Sequence, residues 1–227
     1  MRGASARWYA DENALPSRDT LLTDAEALAS FLSARLAPPT SEPTDASFEA
    51  SSEPRIIGVA PRFAAVLAPL YARGGEPYLL FTRRSADLHA HSGEISFPGG
   101  SRDPSDGSLA QTALRESYEE LGLERTRVTL LGALQPAYTV VSNFLVTPYV
   151  GWLGEGLPPL RPQLSEVAEV IEAPLSALDD ARIYHEELWT RGGIAHAVHF
   201  YDFGAYSIWG LTRRLLHQLL ALQPPRA

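Results

Sequence analysis

The chain contains no cysteine. That absence removes disulfides, thiolate metal sites and a cysteine nucleophile together, so any metal must be held by carboxylates, histidines or backbone oxygens. Hard oxygen donors of that kind favour Mg²⁺ or Mn²⁺. Long apolar runs are missing as well: nowhere do about 18 apolar residues follow one another. The opening stretch, "MRGASARWYADENALPSRD", lacks the apolar core of a secretory signal. The expectation is a cytoplasmic protein with no membrane partner. Positive charge is scarce too, with 19 Lys and Arg against 27 Asp and Glu and a formal net charge of −8. Nucleic-acid surfaces are normally basic, so no nucleic-acid partner is expected. A phosphate ester would still be held if a bridging cation or a local arginine cluster met it.

What is present suffices for a full core, since 227 residues at 45% apolar content exceed the size at which burial becomes limiting. Residues 1–36 read as an N-terminal extension with one helix over Thr23 to Leu36, Thr23 as N-cap and Glu26 three positions on. Residues 37–54, "APPTSEPTDASFEASSEP", are rich in Pro, Ser, Thr and acids and read as a flexible linker. Residues 55–227 form the main domain. There "FAAVLAPLYA" and "PYLLFTRR" flank Gly74-Gly75 as a hairpin. Further strands are expected at Val128–Leu134, Phe144–Trp152, Val167–Ile171, Ile183–Thr190 and Ile194–Phe203, the last two joined across Arg191-Gly192-Gly193. Helices fit Gly107 to Leu121 and Ile208 to Leu222. Strands mixed with few helices point to an α/β or α+β sandwich.

One segment resists a purely structural reading. Glu116, Glu119 and Glu120 stand at i, i+3 and i+4 on a helix and so share one face, while Ala110, Leu114, Ser117 and Leu121 fall opposite and can pack on a sheet. Like charges one turn apart destabilise an isolated helix by roughly 0.2–0.5 kcal/mol, and these lie in its C-terminal half, where the macrodipole also disfavours anions. Many Glu-rich faces are merely solvated. Here a cation should compensate: Arg115 is one candidate, a divalent metal the stronger one.

The order Gly99-Gly100, polar loop, Arg115-Glu116-Ser117-Tyr118-Glu119-Glu120-Leu121-Gly122-Leu123 resembles the Nudix box of hydrolases that cleave nucleoside diphosphates linked to another group. The commonest box has seven residues between its loop acid and the Arg. Here eight separate Asp106 from Arg115, and the longer loop with Asp resembles the coenzyme A diphosphatase subgroup. Upstream, Leu80-Phe81-Thr82-Arg83-Arg84-Ser85, then His89, Gly93 and Phe97-Pro98-Gly99-Gly100, keep every spacing of that subgroup's second motif. Phe81 replaces Leu, and His89 stands where the subgroup has Arg.

The resemblance covers about Arg62 to Leu222 and implies a Nudix fold, a mixed β-sheet sandwiched between helices. It implies metal-dependent cleavage of coenzyme A or acyl-coenzyme A, or of another nucleoside diphosphate such as ADP-ribose or a dinucleotide. A non-catalytic nucleotide sensor is the remaining rival. Glu116, Glu119, Glu120 and a carbonyl of Gly99 or Gly100 are the expected metal ligands. Arg115 is expected to orient the carboxylates as a planar fork. Arg83, Arg84 and His89 are the expected phosphate contacts, with only one of the two adjacent arginines facing the site if the strand alternates. The general base is left open between a box glutamate and Glu166. Tyr138 and Trp209 are either core aromatics or adenine platforms, and a homodimer is left open.

Overall fold

A computed structural model describes residues 15–43, 56, 58–85 and 93–225. The expected single N-terminal helix is two, α1 (Arg18–Thr23) and α2 (Ala25–Ser33). The break falls at Asp24, whose extended backbone and carboxylate, accepting from the Ala27 N–H, cap α2. Thr23, expected as the cap, closes α1 and bonds back to the Asp19 carbonyl. Asp outranks Thr as an N-cap, which explains the shift by one residue.

The expected hairpin is β1 (Arg62–Arg73) and β2 (Glu76–Arg84), paired antiparallel. Then follow β3 (Ile95–Ser96), β4 (Gly99–Ser101) and α3 (Leu109–Leu121). Next come β5 (Thr129–Ala133), β6 (Ala137–Thr139) and β7 (Phe144–Glu155). The strand β8 (Val167–Pro174) leads into the single turn α4 (Leu175–Leu178). The mixed sheet has the order β3-β2-β1-β7-β5, with β4 on β1, β6 on β7 and β8 on β2. Its central pair, β1 with β7, is parallel, and the other pairings are antiparallel.

A separate three-stranded sheet is formed by β9 (Tyr184–Arg191), β10 (Ile194–Phe203) and β11 (Tyr206–Trp209). Because β11 extends through Trp209, the last helix, α5 (Gly210–Ala221), begins two residues later than expected.

The mixed sheet is covered on both faces. On one side Leu109, Ala113 and Leu121 of α3 pack with Ala65, Leu67, Leu80 and Tyr149. On the other, Leu21, Leu28 and Leu32 of the N-terminal helices join Leu215, Leu216 and Leu219 of α5 over Leu70, Leu79 and Phe81. Each such buried leucine contributes about 2 kcal/mol, so the N-terminal helices are part of the main core.

Of the segment expected to be a flexible linker, residues 37–43 are instead laid on the domain. Ala37 and Ala133 exchange backbone hydrogen bonds of 3.1 and 2.8 Å. A side chain on Gly132 would come within 2.4 Å of Leu36 there. Residues 44–54 of that segment lie outside the described residues. No helix among the described residues is long and apolar enough to cross a membrane.

Candidate active site

Helix α3 starts at Ser108, whose hydroxyl accepts from the Gln111 N–H while the Gln111 side chain accepts from the Gly107 N–H. This reciprocal cap fixes the first turn. The helix stops at Gly122, left-handed at φ 68°, where the Gly122 and Leu123 N–H groups return to Tyr118 and Ser117 carbonyls. The face expected to pack on the sheet does so: Ala110, Leu114, Ser117 and Leu121 are buried. Ser117 turns its hydroxyl onto the Ala113 carbonyl and so adds no unsatisfied group to that face.

The Gly-Gly loop is set against this helix. Phe97 stacks on Phe81 with ring centroids 4.7 Å apart, and the Pro98 carbonyl accepts from the Leu67 N–H, which delivers Gly99 and Gly100 to the edge of β1. A Cβ on Gly100 would lie 2.5 Å from the Glu116 carboxyl carbon, so only glycine leaves room for that carboxylate.

Arg115 is the hub of the loop and helix. Its Nε and one terminal nitrogen donate to Asp106 at 3.0 and 2.9 Å, and that same terminal nitrogen also donates to the Ser101 carbonyl. The other terminal nitrogen bridges Glu116 and Glu119, each at 2.9 Å. The guanidinium thus pairs with both neighbouring glutamates, although only Glu119 lies one turn away. Asp106, absent from the expected site residues, is the group that anchors it. Asp106 is buried, also accepts from Thr112 and from the Asp103 N–H, and is held down to about 2, chiefly by Arg115. The one signal in the sequence was its place as the loop acid.

Glu120 is treated oppositely. It is 5% exposed, receives an N–H from Gly99, and its Oε2 has no hydrogen-bond partner among the described residues. Burial pushes its carboxyl up to about 8, with Glu116 and Glu166 adding to the rise and Arg84 opposing it. Glu116 is also raised, first by burial and then by Glu119 and Glu166, against the pull of Arg115.

Alternation on β2 separates the two arginines as expected. Arg83 pairs with Glu169 at 2.9 Å, and Glu169 also accepts from the Tyr206 hydroxyl. Arg84 acts on Glu120, and its buried Nε has no partner among the described residues. Glu166 is exposed, with its backbone carbonyl on the Ser85 N–H, and its charge reaches both Glu116 and Glu120. His89 lies outside the described residues. Tyr138 takes the core alternative, buried with its hydroxyl on Asn143, whereas Trp209 is only partly buried and packs with the exposed Trp189 and with Phe200 on the second sheet.

As these side chains stand, no three acidic or histidine groups among the described residues converge closely enough to hold a metal. Two of the three glutamates are engaged by Arg115. The donor chemistry nevertheless fits a hard divalent cation: carboxylates on one helix face, and in Glu120 a buried oxygen with no other partner.

Residues 61–190 match the NUDIX domain family. An uncharacterized Nudix hydrolase, NudL, from Photorhabdus laumondii is 44% identical over 158 residues, 70% of this chain and 83% of that protein. The peroxisomal coenzyme A diphosphatase NUDT7 of Mus musculus is 39% identical over 157 residues, 66% of each chain. Among solved structures, the Nudix hydrolase RenU from M. smegmatis matches at a TM-score of 0.45 and 22% identity, over 52% of this chain and 73% of that one, a loose likeness only. With its loop-helix-loop intact and the domain matched over more than half its length, the chain belongs to the Nudix hydrolase family.

Proposed function

We propose that the protein hydrolyses the diphosphate of coenzyme A or its acyl esters, giving 3′,5′-ADP and 4′-phosphopantetheine or its acyl form. The observation that carries the chemistry is Glu120, a buried carboxylate with one oxygen lacking any partner among the described residues, between the charges of Glu116, Glu166 and Arg84. Burying such a group costs free energy unless a ligand completes it. Glu116, Glu119 and Glu120, with a carbonyl from Gly99 or Gly100, would hold Mg²⁺ or Mn²⁺. Such a cation supplies charge neutralisation at the diphosphate oxygens and a more acidic bound water.

The chain's own groups do the rest. Arg115, fixed by Asp106, keeps Glu116 and Glu119 in register with the helix. Arg84 offers the diphosphate a guanidinium beside Glu120. Glu166 takes the proton of the attacking water as the new P–O bond forms and the bridging P–O bond breaks. The substrate assignment is supported by the motif from Leu80 to Gly100 and by the likeness to the mouse coenzyme A diphosphatase.

Incubation of the protein with coenzyme A, an acyl-coenzyme A, ADP-ribose and a diadenosine polyphosphate, in Mg²⁺ or Mn²⁺, tests the reading. The expected outcome is the highest kcat/KM for coenzyme A or its ester, with 3′,5′-ADP among the products. Outright preference for ADP-ribose or the dinucleotide would overturn the substrate. Binding without turnover of any of them would favour a sensor.

A further inference from the structure

The strand that delivers Gly100 to Glu116 continues into a groove of about 340 Å³, lined by Arg62, Phe63, Ser101, Arg102, Asp103 and Pro104. That volume lies within the range of small-ligand sites. The Arg102 N–H donates to the Phe63 carbonyl, so the ladder of β4 with β1 runs one residue past Ser101. Side chains two residues apart on a strand share a face. Arg102 therefore leaves the sheet on the same face as Gly100, about 7 Å further along. That is the face on which the Glu116 carboxylate sits.

Both arginines are available. Arg62, next to Phe63 at the start of β1, leaves from the opposite face of the strand but lines the same groove at the strand's end. It is exposed, is in no ion pair with an acidic side chain among the described residues, and lies with its guanidinium 4.3 Å over the Phe144 ring. Arg102 is 36% exposed at its side chain, reaches Glu42 only at 3.8 Å, and has one long contact to the Asp106 carbonyl. Phe63, at 38% exposure, gives the groove an apolar wall. Asp103 is the single acid in the lining, and its Oδ1 already accepts from the Ser105 N–H and hydroxyl. In a chain of net charge −8, two guanidiniums beside an exposed ring bring the groove, with Asp103 in its lining and Glu42 at its edge, to a local balance of charge that an incoming phosphate meets with two planar donors. Planar guanidiniums match phosphate geometry, and an aromatic wall suits a ribose or a base.

We infer that this groove is the subsite for the phosphorylated ribose of the substrate, with Arg102 and Arg62 taking a phosphate one sugar away from the bond that is cut and Phe63 covering the sugar. The inference rests on the proposed activity for its ligand, since a nucleotide with a ribose 3′-phosphate is the one that carries this extra charge. Arg62 and Arg102 would then set specificity without touching the reacting atoms.

Calorimetric titration of wild type, Arg62→Gln and Arg102→Gln with 3′,5′-ADP and with AMP, in Mg²⁺, tests it directly. Wild type should bind 3′,5′-ADP roughly tenfold tighter than AMP. Each variant should bring that ratio toward one by weakening 3′,5′-ADP alone. KM for coenzyme A should rise by a similar factor with kcat within about twofold, as for lost uniform binding. A ratio unchanged in both variants, or an equal loss for the two nucleotides, would overturn the subsite. If coenzyme A is not cleaved while the ratio behaves as stated, the groove stands and the proposed activity falls. If coenzyme A is cleaved without any such ratio, the groove falls and the activity stands.

Discussion

Asp106 and Glu120 are buried carboxylates of one loop-helix segment, one at each end, and they are provided for in opposite ways. Asp106 is surrounded by donors from Arg115, Thr112 and the Asp103 backbone and is held at about 2. Glu120 has the Gly99 N–H, the more distant charge of Arg84, and an oxygen with no partner among the described residues, and is pushed up to about 8. A saturated buried acid is a structural fastening. An unsaturated one costs stability and is placed to bind something.

The sharpest way to break this comparison is Glu120→Gln, which keeps the shape and removes the charge. Turnover should fall by about 10²-fold or more, each 1.4 kcal/mol of lost stabilisation being tenfold. In chelator at pH 8 the variant should melt at or above the wild-type temperature, because it no longer carries an underserved buried charge. The sign follows from linkage: a carboxyl raised in the folded state loses stability as pH rises from its unfolded value toward about 8. Steady-state kinetics and thermal melts on the same preparations check both halves. A destabilised variant with near-normal turnover would reverse the roles assigned here.

Asp106→Asn should do the opposite, chiefly to stability. With a folded value of about 2 against roughly 3.9 unfolded, Asp106 contributes about 2–3 kcal/mol above pH 5, lost as pH falls through 2. The variant should therefore lose that amount at pH 7, with denaturant curves for the two proteins converging in acid. Equal stabilities at pH 7 would mean that Asp106 does not fasten Arg115.

The smallest effect is expected at Gly100→Ala. The added methyl would meet the Glu116 carboxylate at about 2.5 Å, so that side chain must move. Activity should drop roughly tenfold, about 1.4 kcal/mol, with the melting temperature nearly unchanged because the obstructed group is a flexible side-chain end. Unaltered kinetics would show that the position of Glu116 is not critical.

The helix face, its sheet-packing side, the Gly-Gly loop and the separation of Arg83 from Arg84 were all legible, because each depends on a short local period. Asp106 as an anchor was not, since its four donors come from three parts of the loop and helix that only folding brings together. The seating of residues 37–43 was equally hidden. Their composition predicts no burial, and they are held by backbone pairing with Ala133 and by Glu42 at the Leu109 N–H, neither of which depends on apolar pattern. The break at Asp24 could have been read from the stronger cap.

The tie between Arg18 and the far end of the chain bears on the order of assembly. Arg18 donates to Asp179, 161 residues on, and to the Pro224 carbonyl, 206 residues on. Closing loops of that length costs entropy before the contacts return it, and topologies dominated by such contacts fold slowly. During synthesis at about 5–20 residues per second, the leucines of α1 and α2 emerge well before α5, which completes their burial. For that interval they form an exposed apolar face on the nascent chain. Helices made before the strands they cover are thus among the last to find their place.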